Sequence, residues 1–119
     1  MSYVASDPAA NLGKVVGTGQ CVAYVREATG APPSSLWKEG SKVKGNDIPT
    51  GTVIATFQDG VYHNATDGSS HAAIYLSQDA TGLWVHDQWI GQPVHKRQIR
   101  FRNGATTANN DGDAFSVVA

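Results

Sequence analysis

The sequence predicts an α+β fold in which N-terminal helices pack on an antiparallel sheet. Two observations lead to this prediction. Helix-like segments occur only before about position 40, and the rest of the chain carries five short, strand-like apolar runs. Links of hairpin length join several of these runs, which favours antiparallel neighbours. With 119 residues, the chain is predicted to form one domain spanning positions 1–119.

The first helix is expected at about 20–29. Thr18 or Gly19 would serve as its N-cap, and Gly30, followed closely by two prolines, would end it. A second short helix is predicted over 34–40, capped by one of the two serines that begin it. Its Trp37 is expected in the core or in a cleft wall.

The strands are predicted to follow the helices. Their expected ranges are 53–57, 72–76, 83–89, 96–101 and 115–118. In 96–102 basic and apolar residues alternate, which favours a solvated strand face over a binding patch, although the run could still meet an acidic partner.

Cys21 is the single cysteine, and it lies where a glycine-rich approach meets the first predicted helix. Free N–H groups and the positive end of the helix dipole favour the thiolate at such a position, and the thiolate is the nucleophilic form. The alternative is a small, buried and inert apolar residue. Cys21 is therefore a candidate nucleophile that requires a base.

His71 is the candidate base, because it opens a predicted strand and can point into a cleft. In cysteine hydrolases the thiol and the imidazole come from distant segments and meet in space. A third polar group usually orients the imidazole, and the next strand supplies candidates. A two-residue turn at 80–81 would pair His71 with Ile90 and place Gln88 on the His71 face, whereas a one-residue slip or a bulge would present Asp87. Both stay candidates for the third position.

A family resemblance rests on these segments. The run 19–25, GQCVAYV, resembles the nucleophile segment of the CHAP and NlpC/P60 branch of papain-like peptidoglycan hydrolases, and 70–76, SHAAIYL, resembles their histidine strand. The segments 37–40, 51–57 and 87–94 look like those of small type VI secretion amidase effectors.

This resemblance implies a papain-like fold and a Cys-His amidase or endopeptidase that needs no cofactor. The implied substrate is an amide bond in the peptide stems or cross-links of peptidoglycan. Related CHAP enzymes often carry Glu-Gln-Asn-Trp where this chain has His86-Asp87-Gln88-Trp89. The departure concerns the orienting residue and not Cys21 or His71.

Three further residues are expected at the cleft. Gln20 precedes the nucleophile and could join the Cys21 backbone N–H in an oxyanion hole, or face solvent. Tyr62 lies in the long polar loop before His71, either beside substrate or tucked onto the core. Trp89 leaves the strand of the third-position candidates and could line the opposite wall.

Composition limits the partners and the route. A formal charge of −1 gives no basic surface for nucleic acid or anionic lipid. The first ten residues lack the charged and apolar regions of a signal peptide, and no run has the length of a membrane span. We therefore expect synthesis in the cytoplasm without a signal peptide. The family resemblance implies secretion by a contractile machine, with a secretion-tube component as partner. The enzyme would act in the target-cell periplasm, where a cognate immunity protein would protect kin.

Three other functions can be compared with the same sequence features. A zinc hydrolase is disfavoured because six His and Asp residues of the stretch 63–95 form no His-x-x-x-His pattern. A phage-encoded or self-encoded CHAP-type wall lysin is one alternative, and a non-catalytic binding module with a buried Cys21 is another. The reactivity of the thiol distinguishes the module from an enzyme.

Overall fold

The computed structural model describes residues 2–119 and contains one six-stranded sheet with an α-helix packed on it. The strands lie in the order β1-β6-β2-β3-β4-β5, and all neighbours are antiparallel. Their bounds are β1 Glu39–Lys42, β2 Val53–Thr56, β3 Ala72–Gln78, β4 Gly82–Trp89, β5 Gln92–Arg100 and β6 Phe115–Val118. The predicted α+β class is confirmed, but this part of the chain has one α-helix rather than several.

Helix α1 spans Cys21–Thr29, as the sequence predicts. The expected N-caps are wrong, because Gln20 occupies that position with an extended backbone and no capping bond from its side chain. Gly19 instead supplies a turn with φ of +88°, and a Cβ there would lie 3.3 Å from the Cδ1 of Ile90. Gly30 ends the helix in the left-handed conformation, and its N–H bonds the carbonyl of Arg26.

The second predicted helix is mostly wrong. A single 3₁₀ turn covers Ser34–Leu36, with Pro33 rather than a serine at its N-cap. The chain is extended from Trp37 to the end of β1. The reason is tertiary pairing, because Lys38 exchanges two backbone hydrogen bonds with Ala119 beside β6. Trp37 is buried in the core, as expected.

Two apolar clusters cover the two faces of the sheet. The face under α1 combines two residues of the helix with alternate residues of the central strands, chiefly Tyr24, Val25, Val53, Ala55, Ala72, Ile74 and Val94. The opposite face buries Ile54, Ala73, Tyr75, Leu83, Val85, Ile99 and Phe115. The sheet is therefore buried on both sides. Among residues 2–119, no helix is long and apolar enough to cross a bilayer.

The β3–β4 hairpin contains the irregularity that decides the site. Near the turn the strands pair as predicted, with Gln78 opposite Leu83 and Ser77 opposite Trp84. The register then shifts, so that Tyr75 lies opposite Val85 and no longer opposite His86. A shift of one residue moves the following side chains of β4 to the other face. Of the two registers that the sequence leaves open, the bulged one is therefore present beyond this point.

Candidate active site

Cys21 is the first residue of α1, and its thiol is free and partly exposed at a cavity. The Sγ atom lies 3.8 Å from the hydroxyl of Tyr62, and the His71 ring and the Ala72 backbone N–H are also near it. Burial by itself raises the pKa of the thiol. The neighbouring His71 and these donors more than offset burial, so the pKa of Cys21 lies below its ordinary value.

His71 lies just before β3 and is fixed at both its backbone and its ring. Its backbone N–H donates to Thr56 Oγ1 at 3.0 Å, and its ring Nε2 lies 2.7 Å from Asp87 Oδ2. This leaves the other ring nitrogen for the thiol. Burial disfavours the charged imidazole, but the hydrogen bonds and charges of Asp87 and Cys21 prevail and raise the pKa of His71 to about 9. The pair therefore favours thiolate and imidazolium.

Asp87 is fully buried on β4 and carries three basic neighbours. Oδ2 also accepts from Nε of Arg97 at 2.8 Å, and Oδ1 lies 3.1 Å from Nε2 of His95. Burial raises the pKa of this carboxyl, yet His71 and Arg97 hold it below its usual range. Of the two third-position candidates, the bulged register brings Asp87 to the imidazole.

Gln88 points to the helix side of the sheet and does not contact the His71 ring. Its amide accepts from the N–H of Val16 at 2.9 Å and donates to the carbonyls of Val16 and Gln20, both at 2.8 Å. The place of Gln88 on the His71 face, which the regular register would give, is therefore not found. Gln88 instead hydrogen-bonds Val16 and Gln20, the two ends of the loop that leads into Cys21 at the start of the helix.

The three other residues expected at the cleft line one cavity of about 380 Å³ with Cys21 and His71. Gln20 is exposed at its edge. Tyr62 is buried against Trp37, and burial together with the Cys21 charge raises the pKa of its hydroxyl, which therefore stays protonated. Trp89 is 41% exposed, and its ring packs edge-on to those of His71 and His95.

Sequence reasoning missed Arg97, which was expected on a solvated face. Its guanidinium bonds Asp87, lies 5.1 Å from the Trp89 ring centre, and donates to the carbonyl of Asn109 at 3.2 Å. The signal was present, because Arg97 and the buried Ile99 occupy alternate positions of one strand and so share a face. Within residues 2–119 no group of three or more potential ligand side chains has the arrangement that a metal ion needs.

Rapid alkylation of Cys21 by iodoacetamide is expected at neutral pH, faster than for the same thiol in the urea-unfolded chain. The lowered pKa populates the thiolate in the folded protein. In His71→Ala the burial of the thiol is no longer offset, so labelling should require a higher pH. Mass spectrometry of timed reactions from pH 5 to 10 measures both profiles. Labelling only after unfolding would contradict the reactive-thiol assignment and support an inert Cys21.

Comparison with known proteins identifies relatives of the whole chain. The family model described as domesticated amidase effector 2 matches residues 1–118. The type VI secretion amidase effector 2 protein of Salmonella typhi is 40% identical over an alignment of length 118, and the match covers 88% of this chain and 88% of that protein. The domesticated amidase effector 2 of Ixodes scapularis is 37% identical over an alignment of length 121, and the match covers 95% of this chain and 82% of that protein.

A solved structure has the same fold. The structure titled type 6 secretion amidase effector 2 superposes with a TM-score of 0.84 at 37% identity, over 98% of this chain and 93% of that one. The resemblance to small type VI secretion amidase effectors is thus confirmed. The resemblance to CHAP and NlpC/P60 hydrolases stays a prediction.

Proposed function

Because this chain belongs to the domesticated amidase effector 2 family, we propose that it is a papain-like cysteine amidase. It hydrolyses an amide bond in peptidoglycan peptides and serves as an antibacterial type VI secretion effector. The observation that carries this proposal is the Cys21 thiol at a helix N-terminus beside His71, whose imidazole is bonded to the buried Asp87. Two of the relatives are named as amidase effectors of type VI secretion, which supports the same reaction class and delivery route.

Acylation begins from the thiolate and imidazolium. The Cys21 thiolate attacks the carbonyl carbon of the scissile amide, and the carbonyl electron pair moves to oxygen. The backbone N–H of Cys21, at the open end of α1, donates to this oxyanion with help from the Gln20 side chain at the cavity edge. His71 then gives its proton to the amide nitrogen, the C–N bond breaks, and an amine leaves the thioester.

Deacylation uses the same residues in reverse order. Neutral His71 takes a proton from water, the hydroxide oxygen attacks the thioester carbonyl, and the C–S bond breaks to return the thiolate. Asp87 stabilises the imidazolium in each half-reaction and fixes the tautomer, because its Oδ2 lies 2.7 Å from Nε2. No external redox partner or cofactor enters this balance.

The cavity supports a peptide-like substrate. Apart from Cys21 and His71, its lining side chains do not ionise near neutral pH, and several carry amides or hydroxyls that can bond a peptide backbone. The Tyr62 hydroxyl lies 3.8 Å from the reacting sulfur and can donate a hydrogen bond to the thiolate. The exposed ring of Trp89 forms a wall for the substrate. The bond cut lies either within a peptide stem, between D-Glu and diaminopimelate, or in a cross-link between stems.

Delivery by a type VI machine implies two protein partners. A secretion-tube component would carry the enzyme out of the producing cell, and an immunity protein in the periplasm would block the open cavity in kin. The names of the two type VI relatives support delivery by this route.

Export to the periplasm of a Gram-negative cell is expected to make the protein lytic, because its substrate lies there. The same protein kept in the cytoplasm should leave growth unchanged. Growth curves and microscopy would compare exported wild type, exported Cys21→Ala and cytoplasmic wild type at matched levels. Equal survival with exported wild type and exported Cys21→Ala, both folded, would refute the wall-hydrolase function.

A further inference from the structure

A second cavity of about 330 Å³ adjoins the catalytic one. It is lined by His71, Trp89, Arg97, Asn109 and Asn110. It shares His71, Trp89 and Asn109 with the first cavity but is not lined by Cys21. The two cavities therefore meet at the imidazole, with the sulfur on one side and Arg97 on the other.

The polar groups of this second cavity are mainly hydrogen-bond donors. Arg97 uses Nε on Asp87, one terminal nitrogen on the Asn109 carbonyl at 3.2 Å, and the other on Asn110 Oδ1 at 3.4 Å. A guanidinium carries five N–H groups, so two remain free. The Asn109 side-chain oxygen accepts from Thr107 Oγ1 at 2.6 Å. The amide oxygens of Asn109 and Asn110 are thus occupied, and their NH₂ groups are left to donate.

The charge of the lining matches this donor pattern. Of the residues that line the two cavities, Arg97 is the one lysine or arginine, and none is an aspartate or glutamate. Asp87 lies beneath Arg97, is fully buried, and lines neither cavity. A group that brings acceptors and negative charge fits here, and a planar carboxylate is the usual partner of a guanidinium.

The position of the second cavity fixes which half of the substrate reaches it. In the mechanism above, His71 protonates the leaving amine, so the amine half lies on the His71 side of the sulfur. The second cavity is on that side. We propose that it binds a carboxylate near the leaving amine of the substrate, held by Arg97 and by the side-chain amides of Asn109 and Asn110. This inference rests on the proposed amidase function and adds a substrate group to it.

Asn110 offers the sharper test, because Arg97 also contacts Asp87 and its replacement would disturb the catalytic residues. The substrates are a purified muropeptide that the enzyme cleaves, with a free carboxylate on the leaving half, and the same muropeptide with that group converted to a carboxamide. For wild type we expect amidation to lower kcat/KM roughly 10-fold or more, the scale of a hydrogen bond to a charged group.

The Asn110→Asp variant should remove this preference. Its new carboxylate repels the substrate carboxylate and competes for Arg97, so kcat/KM on the free acid should fall about 10-fold or more. Turnover of the carboxamide should persist, and it shows that the variant is folded. Asn103→Asp is the matched control, since Asn103 is exposed on the same loop and lines neither cavity.

The outcomes separate the two proposals. Equal cleavage of both muropeptides by wild type, or an unchanged ratio in Asn110→Asp, would overturn the carboxylate subsite and leave the amidase function standing. Failure of wild type to cleave any muropeptide would overturn the amidase function, and the subsite with it. A preference for the free acid that Asn110→Asp removes and Asn103→Asp keeps supports the subsite.

Discussion

Cys21→Ala and His71→Ala are each expected to abolish hydrolysis of purified sacculi, with losses of roughly 10³-fold or more. The thiolate and the imidazolium act as one unit, so removal of either leaves no nucleophile or no proton donor for the amine. For the same reason the double variant should be no less active than either single variant. Loss of turbidity of a sacculus suspension measures the rates.

His63→Ala is the matched control for the histidine. His63 is exposed in the loop before His71 and lines neither cavity, so its replacement should leave hydrolysis intact. Circular dichroism would establish that the variants are folded. Wild-type rates in folded Cys21→Ala or His71→Ala would rule out the proposed mechanism.

Asp87→Asn is expected to lower kcat/KM roughly 10²- to 10⁴-fold and to change its pH profile. The active form requires a charged His71, whose pKa of about 9 depends on the hydrogen bond and charge of Asp87. The carboxamide cannot stabilise the imidazolium in the same way, so the pKa of His71 should fall. The alkaline limb of the profile, near pH 9 in wild type, should therefore move to lower pH.

Rates from pH 5 to 10 measure this shift, with Asp47→Asn as the control. Asp47 is exposed, and its neighbour Asn46 bonds Gln78 at the opposite end of β3 from His71. Loss of a buried, paired charge also destabilises the fold, on the order of 3–5 kcal/mol, so the assays belong well below the melting temperature of the variant. A variant with reduced rate but an unchanged alkaline limb would show that Asp87 supports the fold without setting the charge of His71.

Local pattern was sufficient to predict α1, the core strands, and the positions of Cys21 and His71. The end of α1 at Gly30 and the helical spacing of its apolar residues depend only on residues a few positions apart, so a short stretch of sequence is enough to recognise them. The segment 37–40 was predicted as helix and is extended, because its pairing partner, β6, lies about 75 residues away along the chain. Nothing within the segment 37–40 itself indicates that it pairs with β6.

The identity of the residue beside His71 depended on one bulge. The turn alone predicts a regular hairpin with Gln88 on the His71 face, while the register shift between Tyr75 and Ser77 brings Asp87 there. The sequence allowed both outcomes, and packing of the two faces of the sheet decides between them. Arg97 was missed for a similar reason, since its partner Asp87 becomes visible only once the register is known.

Mass analysis of muropeptides tests the central claim most directly, namely that Cys21 cleaves an amide bond of peptidoglycan. Sacculi treated with wild type and then digested to muropeptides are compared with sacculi treated with Cys21→Ala. We predict a loss of specific muropeptides and the appearance of products whose masses, summed, exceed the parent by one water, with wild type alone. Identical muropeptide profiles after both treatments, with wild type folded and its thiol free, would contradict the claim.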